Sequence, residues 1–98
     1  MLEKPIEEKI KKYLKKCGHL VYKIHGSPYQ EAGIPDLVGI LTSPDHQFGR
    51  FFGIEVKKPG EEPTELQYVQ LDKIEAAGGL SFWVSSLEEV QVVIPPCG

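Results

Sequence analysis

The chain has 98 residues, of which 41% are hydrophobic and 26% charged, and this length and composition are typical of one globular domain. No apolar run is long enough to span a membrane and no apolar leader opens the chain, so we expect residues 1–98 to form one cytoplasmic domain. The two cysteines, Cys17 and Cys97, are too few for a disulfide framework or a zinc site, and they fit a reducing compartment.

The net charge of −3 disfavours contact with nucleic acid, because phosphate groups attract Lys and Arg. The charge is uneven, however, since the first sixteen residues include six lysines: Lys4, Lys9, Lys11, Lys12, Lys15 and Lys16. Bound metal ions also reverse the local sign of acidic groups. The net charge therefore leaves a nucleic-acid function open.

Helical spacing of apolar residues, strand-like apolar runs and breaks at Gly and Pro predict seven elements. They are a helix over residues 5–17, strands over 20–24, 37–41 and 51–57, a helix over 64–78, a strand over 80–84 and a short helix over 85–90. A loop over 26–35 and a turn over 43–47 separate the first three strands. The strand over 37–41 is expected to be buried on both faces and to form a hairpin with 51–57. The fold class is then α/β, with helices flanking one mixed sheet.

Three charged residues are expected to meet at one end of this hairpin. Glu55 and Lys57 point to the same face of their strand because side chains alternate, although such a pair alone is common on solvent-facing strands. Asp36 stands at the start of the partner strand, so the hairpin brings it near both, although Asp also suits a turn there. These three residues are the candidate catalytic group.

The carboxylates of Asp36 and Glu55 are hard ligands that suit Mg²⁺ or Mn²⁺, whereas zinc would need Cys or His at a suitable spacing. The backbone carbonyl of Val56 is a further candidate ligand. A metal held there would polarise a phosphate oxygen and lower the pKa of a bound water. Lys57 could hold that water or stabilise charge in the transition state.

Segment 33–37 (GIPDL), followed by segment 55–59 (EVKKP), resembles the PD-(D/E)XK nuclease superfamily, and within it the VRR-NUC branch. The similarity runs from about Glu7 to Val84. It implies a restriction-endonuclease-like core, αβββαβ, and a Mg²⁺- or Mn²⁺-dependent endonuclease that hydrolyses phosphodiester bonds in DNA. Stand-alone members occur in phages and are similar to Holliday junction resolvases, which implies branched DNA as substrate, a homodimer and, for a phage protein, the host cytoplasm.

Two further site residues follow from this resemblance. The family has a glutamate on its first helix, which matches Glu7 as a catalytic residue and metal ligand. Glu7 flanks the apolar stripe whereas Glu8 points away from it, although an acidic residue in a first helical turn is also favoured by the helix dipole. The family's T-x-x-Q glutamine matches Gln67 beside the active site. Thr64 and Gln67 also form a capping box, and the two roles are compatible.

Nucleic-acid contacts are expected from four residues around this group: Lys23, His25, Ser27 and Lys58. A lone His is more often incidental than catalytic, and Lys58 could simply be exposed. Three lysines line one side of the first helix, namely Lys9, Lys12 and Lys16. They could form a track for DNA, although a charged helical face is usually only solvated.

A homodimer would supply the two active sites that two symmetric cuts need. Four aromatic residues also exceed what a small core easily hides, which agrees with an extra interface: Phe51, Phe52, Phe82 and Trp83. Two alternatives stay open. One is a nuclease for flaps, nicks or specific duplex sites, and the other is a non-catalytic nucleic-acid-binding module with the same fold. The presence of Asp36, Glu55 and Lys57 together argues against the second.

Overall fold

The structure is a computed structural model that describes residues 3–45 and 47–97. The described elements are α1 (Glu3–Lys16), β1 (Leu20–Lys23), β2 (Leu37–Leu41), β3 (Arg50–Val56), α2 (Glu65–Ala76), β4 (Leu80–Val84) and α3 (Leu87–Val93). All seven predicted elements are present, with ends shifted by three residues at most. Within the described residues, no helix combines the length and the apolar content that a membrane crossing requires.

The helix ends follow from local chemistry. Helix α1 begins at Glu3, two residues before the predicted start, because Pro5 still lies among the first four residues, whose N–H groups have no partner within the helix. Gly18 ends α1 with a φ of 85°, a conformation that glycine adopts without strain. The predicted capping box of α2 is confirmed: Gln67 N donates to Thr64 Oγ1 at 3.2 Å, and Thr64 N donates to Gln67 Oε1 at 2.9 Å.

The four strands form one mixed sheet in the order β1-β2-β3-β4. The β1–β2 and β2–β3 pairs are antiparallel, whereas β3 and β4 are parallel and α2 connects them. Leu37 lies opposite Ile54, so the predicted hairpin is confirmed and the start of β2 lies beside the end of β3. In the predicted turn over 43–47, Ser43 Oγ donates a hydrogen bond to Asp45 Oδ1 at 2.6 Å. His46, which belongs to this turn, lies outside the described residues.

The hydrophobic core lies between one face of the sheet and helices α1 and α3. Its fully or almost fully buried members are Ile6, Ile10, Leu14, Val21, Leu37, Phe52, Ile54, Val56, Val84, Val90 and Ile94. The residues that α1 contributes recur every three or four positions, as an amphipathic helix requires. Burial of each of these large side chains stabilises the fold by about 1.5–3 kcal/mol, so α1 is held firmly against the sheet.

The opposite face of the sheet is only partly covered. Helix α2 packs over β3 and β4, where Ile74 sits above Gly53 and Ser81 Oγ donates to the Leu71 carbonyl. None of the described helices packs over β1 and β2 on this face, and Ile40 is 36% exposed. The prediction that residues 37–41 are buried on both faces was therefore wrong, because α2 lies over the other two strands.

The aromatic residues divide between core and surface. Phe52 is fully buried and Phe82 packs against the core, whereas Trp83 is half-buried on the other face. Phe51 is 42% exposed. The core therefore hides more of these side chains than expected, and their number alone is no argument for an interface.

Candidate active site

The hairpin brings Asp36 and Glu55 together at the end of β3. Asp36 precedes β2, and its Oδ2 accepts a hydrogen bond from the backbone N of Val56 at 2.8 Å. Asp36 also lies close enough to Glu55 for its charge to raise the pKa of the Glu55 carboxyl group. The hydrogen bond to Val56 holds the Asp36 carboxylate beside the end of β3. Two carboxyl groups thus meet at one point of the sheet edge.

Glu55 is the most constrained residue of the site. Its side chain is only 3% exposed, and its Oε2 accepts from Gln67 Nε2 at 2.9 Å and lies 3.7 Å from Lys57 Nζ. Its Oε1 is buried without a hydrogen-bond partner among the described residues. Burial and the Asp36 charge raise the pKa of Glu55 to about 8, although the Lys57 charge lowers it. The buried Oε1 therefore needs either a proton or a cation.

Gln67 connects the second helix to this carboxyl group. Its Oε1 caps α2 by accepting from Thr64 N, while its Nε2 donates to Glu55. One side chain therefore fixes both the start of α2 and the orientation of Glu55. The capping role and the position beside the site, which the sequence left as compatible interpretations, are both present in the structure.

On its other side, Asp36 meets two charged residues from α1 and β1. Lys23 Nζ lies 2.8 Å from Glu7 Oε1 and 3.6 Å from Asp36 Oδ1. Burial lowers the pKa of Lys23, but the hydrogen bond to Glu7 and the Asp36 charge outweigh it, so this pKa is raised. Glu7 is 8% exposed whereas Glu8 is exposed, as the helical spacing predicted.

Glu3 is a further acidic residue of the site that the sequence pattern did not single out. Carboxylate oxygens of Glu3, Glu7 and Asp36 all lie within 4.8 Å of one another. The spacing of Glu3 and Glu7, one helical turn apart, puts both on the same face of α1 and would have indicated this residue.

The donor set fits a divalent cation of the Mg²⁺ or Mn²⁺ type. Asp36 is shared by two acidic groups, one with Glu55 and the other with Glu3 and Glu7. Carboxylate oxygens are the ligands that such ions prefer, and the partnerless Oε1 of Glu55 offers one that no described residue uses. The Val56 carbonyl stays a predicted ligand. The nearby ammonium groups of Lys23 and Lys57 limit the negative charge that the fold must hold without a cation.

A cleft of about 220 Å³ opens beside Asp36 and Gln67. The loop over 26–35 forms its wall and contributes Ser27, whose Oγ accepts from Tyr29 N at 3.1 Å. His25 is exposed and is absent from this lining. Lys58 is exposed and lies 3.2 Å from Glu61. Of the four predicted nucleic-acid contacts, the structure brings Lys23 and Ser27 to the site or its cleft, and it does not bring His25 or Lys58 there.

The solved structures that are similar to this chain include two VRR-NUC domains. No model of a known family matches the sequence, and no curated protein is detectably similar to it. A structure titled "VRR_NUC domain" is 26% identical, with a TM-score of 0.73, over 94% of this chain and 92% of that one. A "VRR_NUC domain protein" has a TM-score of 0.66 over 96% of this chain and 85% of its own; at 22% identity it shows the fold alone.

These similarities, together with the arrangement of strands and helices, define the chain as a nuclease-fold domain. Within that class it has the fold of VRR-NUC domains, so the resemblance carried by segments 33–37 and 55–59 is confirmed.

Proposed function

We propose that this domain, residues 1–98, is a Mg²⁺- or Mn²⁺-dependent endonuclease that hydrolyses phosphodiester bonds in branched DNA. The observation that carries the proposal is the meeting of Asp36, Glu55 and Lys57, with a buried Glu55 oxygen that no described residue satisfies. A fold retained only for binding has no need for a buried carboxyl group without a partner, which lowers stability. We place the domain in the cytoplasm, which would be the host cytoplasm for a phage protein.

Asp36, Glu55 and Glu7 would hold the cation, with the Val56 carbonyl as a further ligand. The bound ion would supply Lewis-acid polarisation of a phosphate oxygen and a more acidic water. Gln67 keeps Glu55 Oε2 in place, which would leave Oε1 available to the ion. The Lys57 ammonium, held near Glu55, positions the attacking water or stabilises the charge that develops on the phosphate oxygens.

Attraction of DNA to the surface of the domain is supported by three lysines. Lys9, Lys12 and Lys16 are all exposed on the solvent-facing side of α1, away from the buried Glu7. Such lysines attract phosphates without regard to base sequence, which suits recognition of DNA shape. Ser27 lies in the cleft beside Asp36 and is the best placed of the predicted contacts. Lys23 would reach DNA only after it leaves Glu7.

A homodimer is part of the proposal, because symmetric cleavage of a branched substrate needs two sites. The uncovered half of the sheet supports it. Leu20, Ile40 and Phe51 lie side by side across β1, β2 and β3 and are 47%, 36% and 42% exposed, and Tyr22, further along this face, is 58% exposed. This uncharged row could pair with the same row on a second copy, as a two-fold interface requires.

The test is cleavage of a labelled four-way junction and of a linear duplex with the same sequence. Each substrate is incubated with Mg²⁺ or Mn²⁺, with EDTA, and with the Lys57→Ala variant. We expect paired cuts in the junction, loss of cleavage in EDTA, and a decrease of about 100-fold or more with Lys57→Ala. Lys73→Ala, at an exposed lysine of α2, is the matched control and should cleave like the unmodified chain.

The outcomes separate the alternatives. Equal cleavage of both substrates would keep the nuclease and remove the junction preference. Cleavage of flapped or nicked DNA alone would assign the site to those substrates. DNA binding without cleavage in either metal would indicate the non-catalytic module and overturn the proposed activity.

A further inference from the structure

The segment after α3 folds back onto the end of α1. Tyr13 Oη donates a hydrogen bond to the carbonyl oxygen of Ile94 at 2.6 Å, which joins residues 81 positions apart. Cys17 lies one helical turn beyond Tyr13, and Cys97 lies three residues beyond Ile94. With the two segments joined in this way, the thiols of Cys17 and Cys97 lie close enough for each to shift the pKa of the other. The fold thus places the two cysteines of the sequence side by side, far from Asp36 in the chain and outside the acidic site.

Both thiols can be reached from solvent. Cys17 is partly exposed and Cys97 is exposed. The interaction between the two thiols lowers the pKa of Cys17, while burial opposes this; the same interaction and burial raise the pKa of Cys97. Cys17 is therefore the thiol that ionises more readily, and the thiolate is the form that attacks a disulfide.

We propose that Cys17 and Cys97 form a reversible intramolecular disulfide, for which low-molecular-weight disulfides such as glutathione disulfide are the oxidant. The Cys17 thiolate attacks one sulfur of glutathione disulfide and releases one glutathione thiolate, which takes up a proton. The Cys97 thiol then loses its proton and attacks the Cys17 sulfur, which releases the second glutathione. The two cysteine sulfurs are oxidised, and one glutathione disulfide is reduced to two thiols.

The disulfide would tie the C-terminal segment to α1. It closes a loop of about 80 residues, and the loss of chain entropy in the unfolded state is large for a loop of this length. We therefore expect oxidation to raise the melting temperature by about 5–15 °C, and a thiol reductant to reverse the change. This site acts on the fold and is independent of the proposed nuclease activity.

The test exposes the purified full chain to glutathione disulfide and follows its intact mass. The unmodified chain should lose two hydrogen masses and keep no glutathione, whereas Cys17→Ser and Cys97→Ser should each stop at a mixed disulfide with one glutathione. Closure should be at least about tenfold faster in native buffer than in concentrated urea, because the fold holds the thiols together.

Three results would overturn the inference. One is stable addition of glutathione to the unmodified chain without closure, and another is a disulfide between two chains in place of the internal one. The third is closure that is as fast in urea as in native buffer, since the fold would then have no part in it. Both serine variants change an exposed or partly exposed thiol, so loss of folding is not an expected cause of failure.

Discussion

Glu55 is buried where its ionised form is poorly stabilised. An isolated glutamate carboxyl ionises near pH 4.5, but burial and the Asp36 charge raise the Glu55 pKa to about 8. Between these two values the folded chain holds a proton that the unfolded chain has lost. Its free energy of unfolding therefore decreases as the pH rises through this window, and levels off above about pH 8.

The substitution Glu55→Gln removes this proton equilibrium. In EDTA, we expect the melting temperature of the unmodified chain to decrease more than that of the variant from about pH 5 to about pH 9. The difference in melting temperature between the two proteins should therefore shift in favour of the variant toward the upper end of this range. Thermal unfolding followed by circular dichroism at each pH measures the difference. Parallel curves for the two proteins would contradict the assigned environment of Glu55.

Lys23 would compete with a bound metal ion for the carboxylates of Glu7 and Asp36. Its ammonium group occupies oxygen lone pairs of Glu7 and Asp36 that a cation would need. Replacing Lys23 by an uncharged residue would have two opposite effects on metal affinity. It would end the repulsion between the ammonium group and the metal ion, and it would remove a contact that orients Glu7. A unit charge about 4 Å away contributes up to a few kcal/mol near a protein surface, whereas orientation of one side chain contributes about 1 kcal/mol. The repulsion should dominate.

We therefore expect Lys23→Met to bind Mn²⁺ about tenfold more tightly than the unmodified chain. Isothermal titration calorimetry measures both affinities, and Lys73→Met serves as the control at a distant exposed lysine. If the variant binds Mn²⁺ more weakly, orientation of Glu7 is the main role of Lys23. If neither protein binds Mn²⁺ or Mg²⁺, the proposed metal dependence fails.

The sequence indicated part of this site and not the rest, for physical reasons. Asp36, Glu55 and Lys57 could be grouped because a hairpin fixes which strand ends meet. The ion pairs of Lys23 could not be predicted, because they depend on the register that places Lys23 opposite Leu37. Glu3 was missed because it precedes Pro5, where the helix was expected to begin.

At the scale of elements, the loop over 26–35 is seated against α2 through Gly33. This glycine has a φ of 84°, and a Cβ built on it would lie 2.6 Å from the Leu66 carbonyl oxygen. A side chain there would be strained and would also push the loop away from the start of α2. Because the same loop leads directly into Asp36, the position of the loop and the geometry of the site depend on this close approach.

Gly33→Ala should therefore lower the free energy of unfolding by about 2 kcal/mol or more, of which roughly 1–2 kcal/mol comes from the left-handed backbone. Urea unfolding measures the change. Gly26→Ala is the control, because a Cβ at Gly26 meets nothing within 4 Å and its backbone carries no such strain. Similar losses for both substitutions would show that the contact with α2 is not the cause.

The elements themselves were well predicted because their periodicity is strong and each end has a Gly, Pro or cap. The error lay in the burial of residues 37–41. An apolar strand predicts contact with other apolar groups, but it does not show whether those groups come from the same chain or from another molecule. Ile40 shows this limit, since it is 36% exposed although it lies between Leu20 of β1 and Phe51 of β3.

At the scale of the whole molecule, this uncovered half-sheet is the proposed dimer interface. A charge introduced at Ile40 would lie in the middle of the apolar row and would have to lose its hydration on association. We expect Ile40→Asp to be a monomer at concentrations where the unmodified chain is a dimer, with an unchanged circular dichroism spectrum. Light scattering after size-exclusion chromatography measures the mass.

Val92→Asp is the matched control, because Val92 is 82% exposed on α3, far from the half-sheet in the sequence. It should leave the dimer intact. Dissociation by both substitutions would place the interface elsewhere, and a monomeric unmodified chain would remove most of the support for a junction resolvase.

The amide of Gln67 also decides where a proton can sit. Its oxygen is occupied by Thr64 N, so the amide cannot rotate by half a turn, and its nitrogen must face Glu55 Oε2. A hydrogen on Oε2 would point at this donor and at the Lys57 ammonium, so the neutral acid carries its hydrogen on Oε1. In the proposed metal-bound form, the Glu55 oxygen that binds the cation is thus the oxygen that must first release a hydrogen. Metal binding would then be an exchange of a proton for a metal ion at a single oxygen.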